Sequence, residues 1–423
     1  MKAQPPPRAP GLVPALTAVA WLLLALGSPP TSNAQAAGAQ AETAGPAEDP
    51  VTLSFAFVGC NRVGWSEVDG QPLPPSTANE PQLLQTFTDI TQIGADRGLA
   101  VSYLFLLGDI VRNEASAKTL AAQLSEWQQL YAGSDLAVGD TRMVPIVGNH
   151  EVLTSVEYAD GEYYEVPQVG ANAAWLRWLN AHGHPPQPGN GPTPDSSPTD
   201  LLRGDNSQLT YSFDVATADG KSVHFVLMNT DSDSTYSSAE PECYQPPRRG
   251  VSFHGHPVTG TAALDVPGWI AADWIAKDLA GAGESDYVFA LGHKPITYPG
   301  SASYTDTSTG RDTIFNCGDQ RRAEALVHSF DAHPSFVAYL TAHQHLWDAY
   351  EIKGPTRSFW QIVAGDGGSP LVSGSSFGFT LVDIHESGAV TATRYDRPVP
   401  ASGYYSADGV GPATAGKTFV LNP

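Results

Sequence analysis

The sequence predicts an α/β fold, and three observations carry that reading. Six apolar runs have the length of strands, segments of helical period lie between them, and the two kinds alternate, which argues for βαβ units. Each of the six runs also ends in the same way, in a short polar cluster. Phe55 to Val58 leads into Gly59-Cys60-Asn61-Arg62, Tyr103 to Leu107 into Gly108-Asp109, and Met143 to Val147 into Gly148-Asn149-His150-Glu151. Tyr287 to Leu291 leads into Gly292-His293-Lys294-Pro295, Phe336 to Leu340 into Thr341-Ala342-His343-Gln344-His345, and Phe359 to Ala364 into Gly365-Asp366-Gly367-Gly368. Open α/β sheets bind ligands just beyond the carboxyl ends of their strands, so six such ends predict one shared crevice. Asp, Asn and three His gathered there have the donor chemistry of a metal site.

In chain order, Lys2 and Arg8 precede an apolar run from about Leu12 to Gly27, and Ser32-Asn33-Ala34 offers a cleavage site. Residues 1–34 are therefore expected to be an export signal, sending the chain to the periplasm or the medium. The run contains Pro14 and is shorter than the roughly 20 residues that cross a bilayer, so no stable membrane anchor is expected. Residues 35–50, rich in Ala, Gly and Pro, are expected to form a flexible linker. The main domain is placed at 51–400, with a tail at 401–423.

Within that domain, Leu83, Leu84, Phe87, Ile90 and Ile93 mark a first helix, and Leu120, Leu124, Trp127 and Tyr131 a second. From 152 to 222 the pattern lapses into Pro, Gly, Asn and Ser, which predicts an insertion or lid outside the core. Val223 to Met228 resumes as a buried strand. A third helix is expected from near Pro267, with Trp269, Ile270, Trp274 and Ile275, and a fourth over Gln320 to Phe330. Phe377 to Ile384 and Ala389 to Tyr395 flank His385-Glu386-Ser387-Gly388 as an antiparallel hairpin.

The chain carries 44 acidic against 22 basic residues, a net charge of −22. Such a surface repels polyanions, so nucleic acid is not an expected partner, and a small phosphorylated substrate has to be drawn in locally. Oligomeric state is not legible. Of the three cysteines, Cys243 and Cys317 stand in loop-like sequence and Cys60 at the crevice; in an oxidising compartment the first two are candidates for a disulfide, the alternative being free thiols.

The order Gly-Asp, Gly-Asn-His-Glu, Gly-His, His-x-His after apolar strands resembles the calcineurin-like metallophosphoesterases, from about Leu53 to about Asp396. The resemblance implies a four-layer α/β sandwich of two mixed sheets flanked by helices. It also implies hydrolysis of a phosphate monoester or diester by a metal-bound hydroxide, with one or two divalent or trivalent ions per chain, zinc, manganese or iron. Asp109 matches the bridging carboxylate that two close cations need. Asn149, His293 and His343 match the ligands of the second metal and His345 a ligand of the first. His150 matches the residue that protonates the leaving alkoxide and bonds phosphate, and Asn149 also faces substrate. Glu151 is expected to orient its neighbours.

Two departures stand out. Where the family supplies an Asp and, two residues on, a His to the first metal, this chain has Cys60 and Arg62. A thiolate can ligate in place of a carboxylate, and prefers softer ions, or Cys60 can pack as a small hydrophobe. Arg62 has no acceptor and cannot ligate, but it can grip phosphate oxygens and so replace part of a weakened first metal. Purple acid phosphatases place a tyrosinate three residues after the Asp, where Arg112 stands here, so their ferric chemistry is not expected. Arg112 either reaches substrate or pairs with Glu67 or Glu114. His182-x-His184 and His254-x-His256 read as solvated loop residues, Asp231 and Asp233 as caps or as partners that orient a ligating His, and Asp366 as part of a tight turn whose glycines supply unusual backbone angles. The rival reading, raised by Cys60 and Arg62, is a catalytically weak or inactive metal- or phosphate-binding protein on the same fold.

Overall fold

Phe55 and Phe57 face one way and Ala56 and Val58 the other, yet all four are fully buried. A strand covered on both faces needs an unbroken apolar run, and this is why the strands read as continuous rather than alternating. The computed structural model describes residues 49–62, 67–68, 71–72, 79–112, 116–157, 163–167, 170–183, 191, 209–231, 252–253, 256–257, 271–297, 314, 320–403 and 406–422. The expected signal, nearly all of the linker, and Cys243 and Cys317 with their pairing lie outside the described residues.

Among the described residues twelve strands build two six-stranded sheets. They are β1 (Val51–Val58), β2 (Tyr103–Leu107), β3 (Arg142–Ile146), β4 (Tyr211–Ala216), β5 (Ser222–Met228), β6 (Tyr287–Gly292), β7 (Phe336–Thr341), β8 (Trp347–Lys353), β9 (Ser358–Ala364), β10 (Phe377–His385), β11 (Val390–Arg397) and β12 (Thr414–Val420). The first sheet has the order β12-β11-β10-β1-β2-β3, the second β8-β9-β7-β6-β5-β4. Parallel pairing joins β1, β2 and β3 in the first sheet, and β5, β6, β7 and β9 in the second. The remaining pairings are antiparallel, so both sheets are mixed.

Between the sheets lies an aromatic core, in which the Phe55 ring meets Phe225 and Phe289 edge-on at 5.1 and 5.2 Å. Burying each such ring contributes roughly 1.5–3 kcal/mol. Helices α1 (Glu80–Arg97), α2 (Ala117–Ala132) and α3 (Ala171–His182) cover the outer face of the first sheet, and α4 (Ala272–Gly281) and α5 (Gln320–Ala332) that of the second. The expected four layers are present, helix, sheet, sheet, helix.

Two expectations need correction. Residues 152–222 are not all outside the core: Ala171, Ala174, Trp175, Trp178 and Leu179 bury one face of α3 beside Trp127, and β4 forms an edge of the second sheet. Their spacing is helical, but turn-forming residues on either side hide it. The tail at 401–423 contributes β12 and the buried Leu421. The helix expected from near Pro267 is α4, and 258–270 lie outside the described residues. Among the described residues no helix is long and apolar enough to cross a membrane.

Arg397 on β11 and Asp89 on α1 form a buried ion pair, Nη1 to Oδ2 at 2.5 Å, and the same carboxylate oxygen accepts the Ala413 N–H at 2.9 Å. Removing one partner strands a buried charge, at about 3–5 kcal/mol. Asp89→Ala is expected to lose that much unfolding free energy in a denaturant titration, whereas the exposed Asp140→Ala should stay within about 0.5 kcal/mol of the parent.

Near the start of β5, at the end opposite the six polar clusters, a cavity of about 650 Å³ is lined by Asp214, His224, Trp274, Lys277 and Asp278 among others. His224 Nδ1 lies 2.7 Å from Asp214 Oδ1 and Nε2 lies 2.9 Å from Asp278 Oδ2. Burial opposes charge on this imidazole, but the bonds to Asp278 and Asp214 outweigh it and raise its pKa. A raised histidine pKa contributes stability that is complete below the unfolded value and is lost as pH climbs through the folded one. The Tm advantage of the parent over His224→Gln should therefore be largest near about pH 5.5 and shrink above neutrality. A difference constant with pH would show that the ring is neutral and only packs.

Candidate metal centre

Four residues other than glycine have left-handed backbone among those described: Cys60 (φ 58°), Arg62 (φ 45°), Asp109 (φ 55°) and His343 (φ 63°). All four come from the polar clusters at strand ends. Such conformations cost energy in residues with a Cβ and cluster where the aim of a side chain matters more than local comfort. Gly108, at φ 82°, is required twice over, since a Cβ there would lie 2.6 Å from His293 Nδ1 and 2.7 Å from Gly148 Cα.

Backbone hydrogen bonds tie the turns to one another. Cys60 N–H donates to Gly108 O (3.0 Å), Arg62 N–H to Asp109 O (2.8 Å), Gly59 N–H to Ala364 O (2.9 Å) and Gly367 N–H to Gly59 O (3.1 Å). Asn61 Nδ2 donates to Gly367 O at 2.9 Å. The glycines around Asp366 serve close approach and not unusual angles: Gly365, Gly367 and Gly368 lack positive φ, but a Cβ on Gly367 would meet Gly59 O at 2.5 Å. Asp366 itself is fully buried, with Arg394 Nη2 at 3.5 Å from Oδ2; burial lifts its carboxyl to about 7.

Glu151 is the expected orienting carboxylate. Its Oε2 accepts the N–H of Gly148 (2.7 Å) and of Asp109 (2.9 Å), and its Oε1 that of Val111 (3.1 Å). One buried side chain thus pins the loops after β2 and β3 together.

Asp109 stands at the centre, fully buried. Oδ1 accepts the His150 N–H at 3.1 Å and lies 3.3 Å from His293 Nε2. Oδ2 faces Arg62, whose Nε and Nη2 are 3.4 and 3.3 Å away, and His150 Nε2 at 3.8 Å. Burial opposes its charge, but His293, His150 and Arg62 prevail and hold its carboxyl well below the usual range. Asn149 Oδ1 is 3.0 Å from His293 Nε2, and His343 Nδ1 is 3.0 Å from the same nitrogen. Asp109, His293 and His343 therefore offer ligand atoms within 4.8 Å of one another, and so, on the other side, do Cys60, Asp109 and His345.

The tautomers suit cation binding. A carbonyl can only accept, so His293 Nδ1 must donate to Leu107 O (2.6 Å) and His345 Nδ1 to Pro370 O (2.9 Å), which leaves Nε2 of each ring as the nitrogen a cation would take; on His293 the cation would displace the proton that Asp109 favours there. His345 Nε2 is buried without a hydrogen-bond partner. Burial, reinforced by Arg62, lowers its pKa to about 4; His293 is lifted to about 9 because Asp109 and Asp231 overcome its burial. His150 is pushed well down by burial and by Arg62. Burial and the charge of Asp109 push the Cys60 thiol well up. The donors fit a cation at Asp109, Asn149, His293 and His343; Cys60, Asp109 and His345 offer three donors to another.

Of the remaining candidates, Arg112 acts electrostatically on His150, while its suggested partners Glu67 and Glu114 have side chains outside the described residues. His182 ends α3 instead of sitting in a loop, and its ring lies 6.4 Å from that of Trp178. His184, His254 and Asp233 lie outside the described residues. Asp231 is buried and pairs with Lys294 Nζ at 3.1 Å. Sequence reasoning misses Lys294 because a lysine reads as exposed by default; its place between His293 and Pro295 is the available signal.

No family model matches the chain, and no curated protein matches it. Among solved structures the chain is similar to a purple acid phosphatase from yellow lupin (Lupinus luteus) seeds, at 13% identity and a TM-score of 0.46, over 89% of this chain and 54% of that one. It thus spans about half the length of the lupin protein. It is also similar to TT1561 of Thermus thermophilus (10% identity, TM-score 0.36, 81% of this chain and 99% of that one). The third is the sulfate thiohydrolase SoxB of Thermus thermophilus in complex with glycerol (10% identity, TM-score 0.40, 84% of this chain and 58% of that one). All three have the calcineurin-like metallophosphoesterase fold. At this level of likeness the chemistry has to be read from the chain's own side chains.

Proposed function

We propose that this chain is an exported metal-dependent hydrolase of a small phosphate monoester or diester. The observation that carries the reading is that two ligand groups share one buried carboxylate, Asp109. A cation bound there supplies Lewis acidity and an activated water at neutral pH. Asp109, Asn149, His293 and His343 hold it, with Glu151 fixing the loops that carry the first two. Arg62, a fifth of whose side chain is exposed, turns its guanidinium to phosphoryl oxygens, and Arg112 adds charge from beyond His150. His150 gives its proton to the departing alkoxide, a role worth about 10² to 10⁴ in rate. Burial and Arg62 keep its imidazole neutral in the free protein, so the proton it gives has to arrive with the substrate.

A second reading, binding without turnover, draws on the Arg62 contact with Asp109 Oδ2. Hydrolysis of a chromogenic aryl phosphate with added zinc, manganese or iron separates the two. A metal-dependent rate supports the hydrolase; bound metal with no rate above buffer for any ion, monoester or diester leaves the binding protein.

A further inference from the structure

Both departures from the family pattern fall on one side of Asp109, and the side chains there form a donor set of their own. Cys60 Sγ, an Asp109 oxygen and a His345 nitrogen lie within 4.8 Å of one another, brought from the ends of β1, β2 and β7. Cys60 is fully buried at φ 58°, and its side chain lies at the edge of the core between the sheets, against the ligand cluster. His345 spends Nδ1 on the Pro370 carbonyl and presents a buried Nε2 that no hydrogen bond satisfies. A buried lone pair of this kind calls for a proton donor or a cation.

Of the other buried carboxylates in these strand-end clusters, Glu151 is engaged by three N–H groups and Asp231 by Lys294. We propose that Cys60, Asp109 and His345 form a thiolate-containing cation site selective for a thiophilic ion such as zinc, chemically distinct from the oxygen and nitrogen site at Asp109, Asn149, His293 and His343. Sulfur, imidazole and carboxylate together are a zinc set, whereas manganese favours oxygen donors. As the sulfur–metal bond forms, the thiol proton leaves to solvent. Arg62 does not bar the position. Its two contacts with Oδ2, at 3.4 and 3.3 Å, exceed the roughly 2.7–2.9 Å of a well-formed charged pair, and its partly exposed side chain can swing toward the crevice mouth. The inference rests on the hydrolase reading for the other cation but makes a separate claim.

The test is metal binding by the full chain, free of other ions, titrated with cobalt(II) and followed by absorption and elemental analysis. Two cobalt ions per chain are expected, with a sulfur-to-cobalt charge-transfer band that Cys60→Ser abolishes along with one ion. Manganese should load one ion in the parent and two in Cys60→Asp, which restores an oxygen donor. One cobalt per chain without the band overturns the proposal and leaves the hydrolase reading standing on one cation, with Arg62 in place of the other. No cobalt bound at all overturns both. Should Cys60→Ser fail to fold, the band in the parent and its loss in His345→Ala decide the matter.

Discussion

Asp109→Asn is expected to lose cation binding and at least about 10³-fold in turnover of an aryl phosphate while keeping its fold. The magnitude follows from the several kcal/mol that a Lewis-acidic cation contributes to the transition state, at tenfold per 1.36 kcal/mol. The fold survives because Asn still offers an oxygen to the His150 N–H, and because it is among the few residues that tolerate the left-handed φ of 55°. What disappears is the charge that both ligand groups share. Elemental analysis, the rate with each ion and a thermal melt together check the expectation. Full metal content and parental turnover in this variant would sink the assignment of the site, whatever became of the fold.

That site is largely legible in the sequence, because its residues follow strands whose apolar runs are unmistakable. Asp109, Asn149, His293, His343 and His345 each come within one to four residues of a strand end, where the fold class alone forecasts a crevice. Less legible are features that depend on what lies across space. The buried pair of Lys294 with Asp231 needs knowledge that β5 and β6, far apart in the chain, run side by side and end together. The core role of α3 is masked by irregular sequence on both sides, although Trp175 and Trp178 carry the period. The glycines after β9 are foreseen as a turn but for the wrong reason, since close approach of β1 and β9 is a property of the assembled sheets. Local pattern predicts what a residue's neighbours in sequence decide; it is silent on contacts made by elements hundreds of residues apart, such as Arg397 with Asp89.

Glu151 offers the second large effect, because it works on the backbone that aims the ligands and not on the cation. Alanine at this position is expected to cost at least about 3 kcal/mol of stability. It strands the buried N–H groups of Gly148, Asp109 and Val111, at about 1–3 kcal/mol each. Burial, and then the charge of Asp109, lift the Glu151 carboxyl to about 7, so the three donors offset a real penalty for keeping an acid there. Glutamine is the more informative substitution. It keeps one acceptor oxygen but turns an NH₂ toward a backbone N–H, which loosens the loops after β2 and β3 without emptying the space. Glu151→Gln should therefore fold, yet bind its cation about 10–100-fold more weakly, as is usual when a partner behind the ligands is altered. Because Glu151 touches neither cation nor substrate in this scheme, excess metal should return most of the lost rate in Glu151→Gln, a rescue that Asp109→Asn cannot show. Metal affinity unchanged in a folded Glu151→Gln would mean that the ligand loops hold their geometry by themselves, and that the three hydrogen bonds serve stability alone.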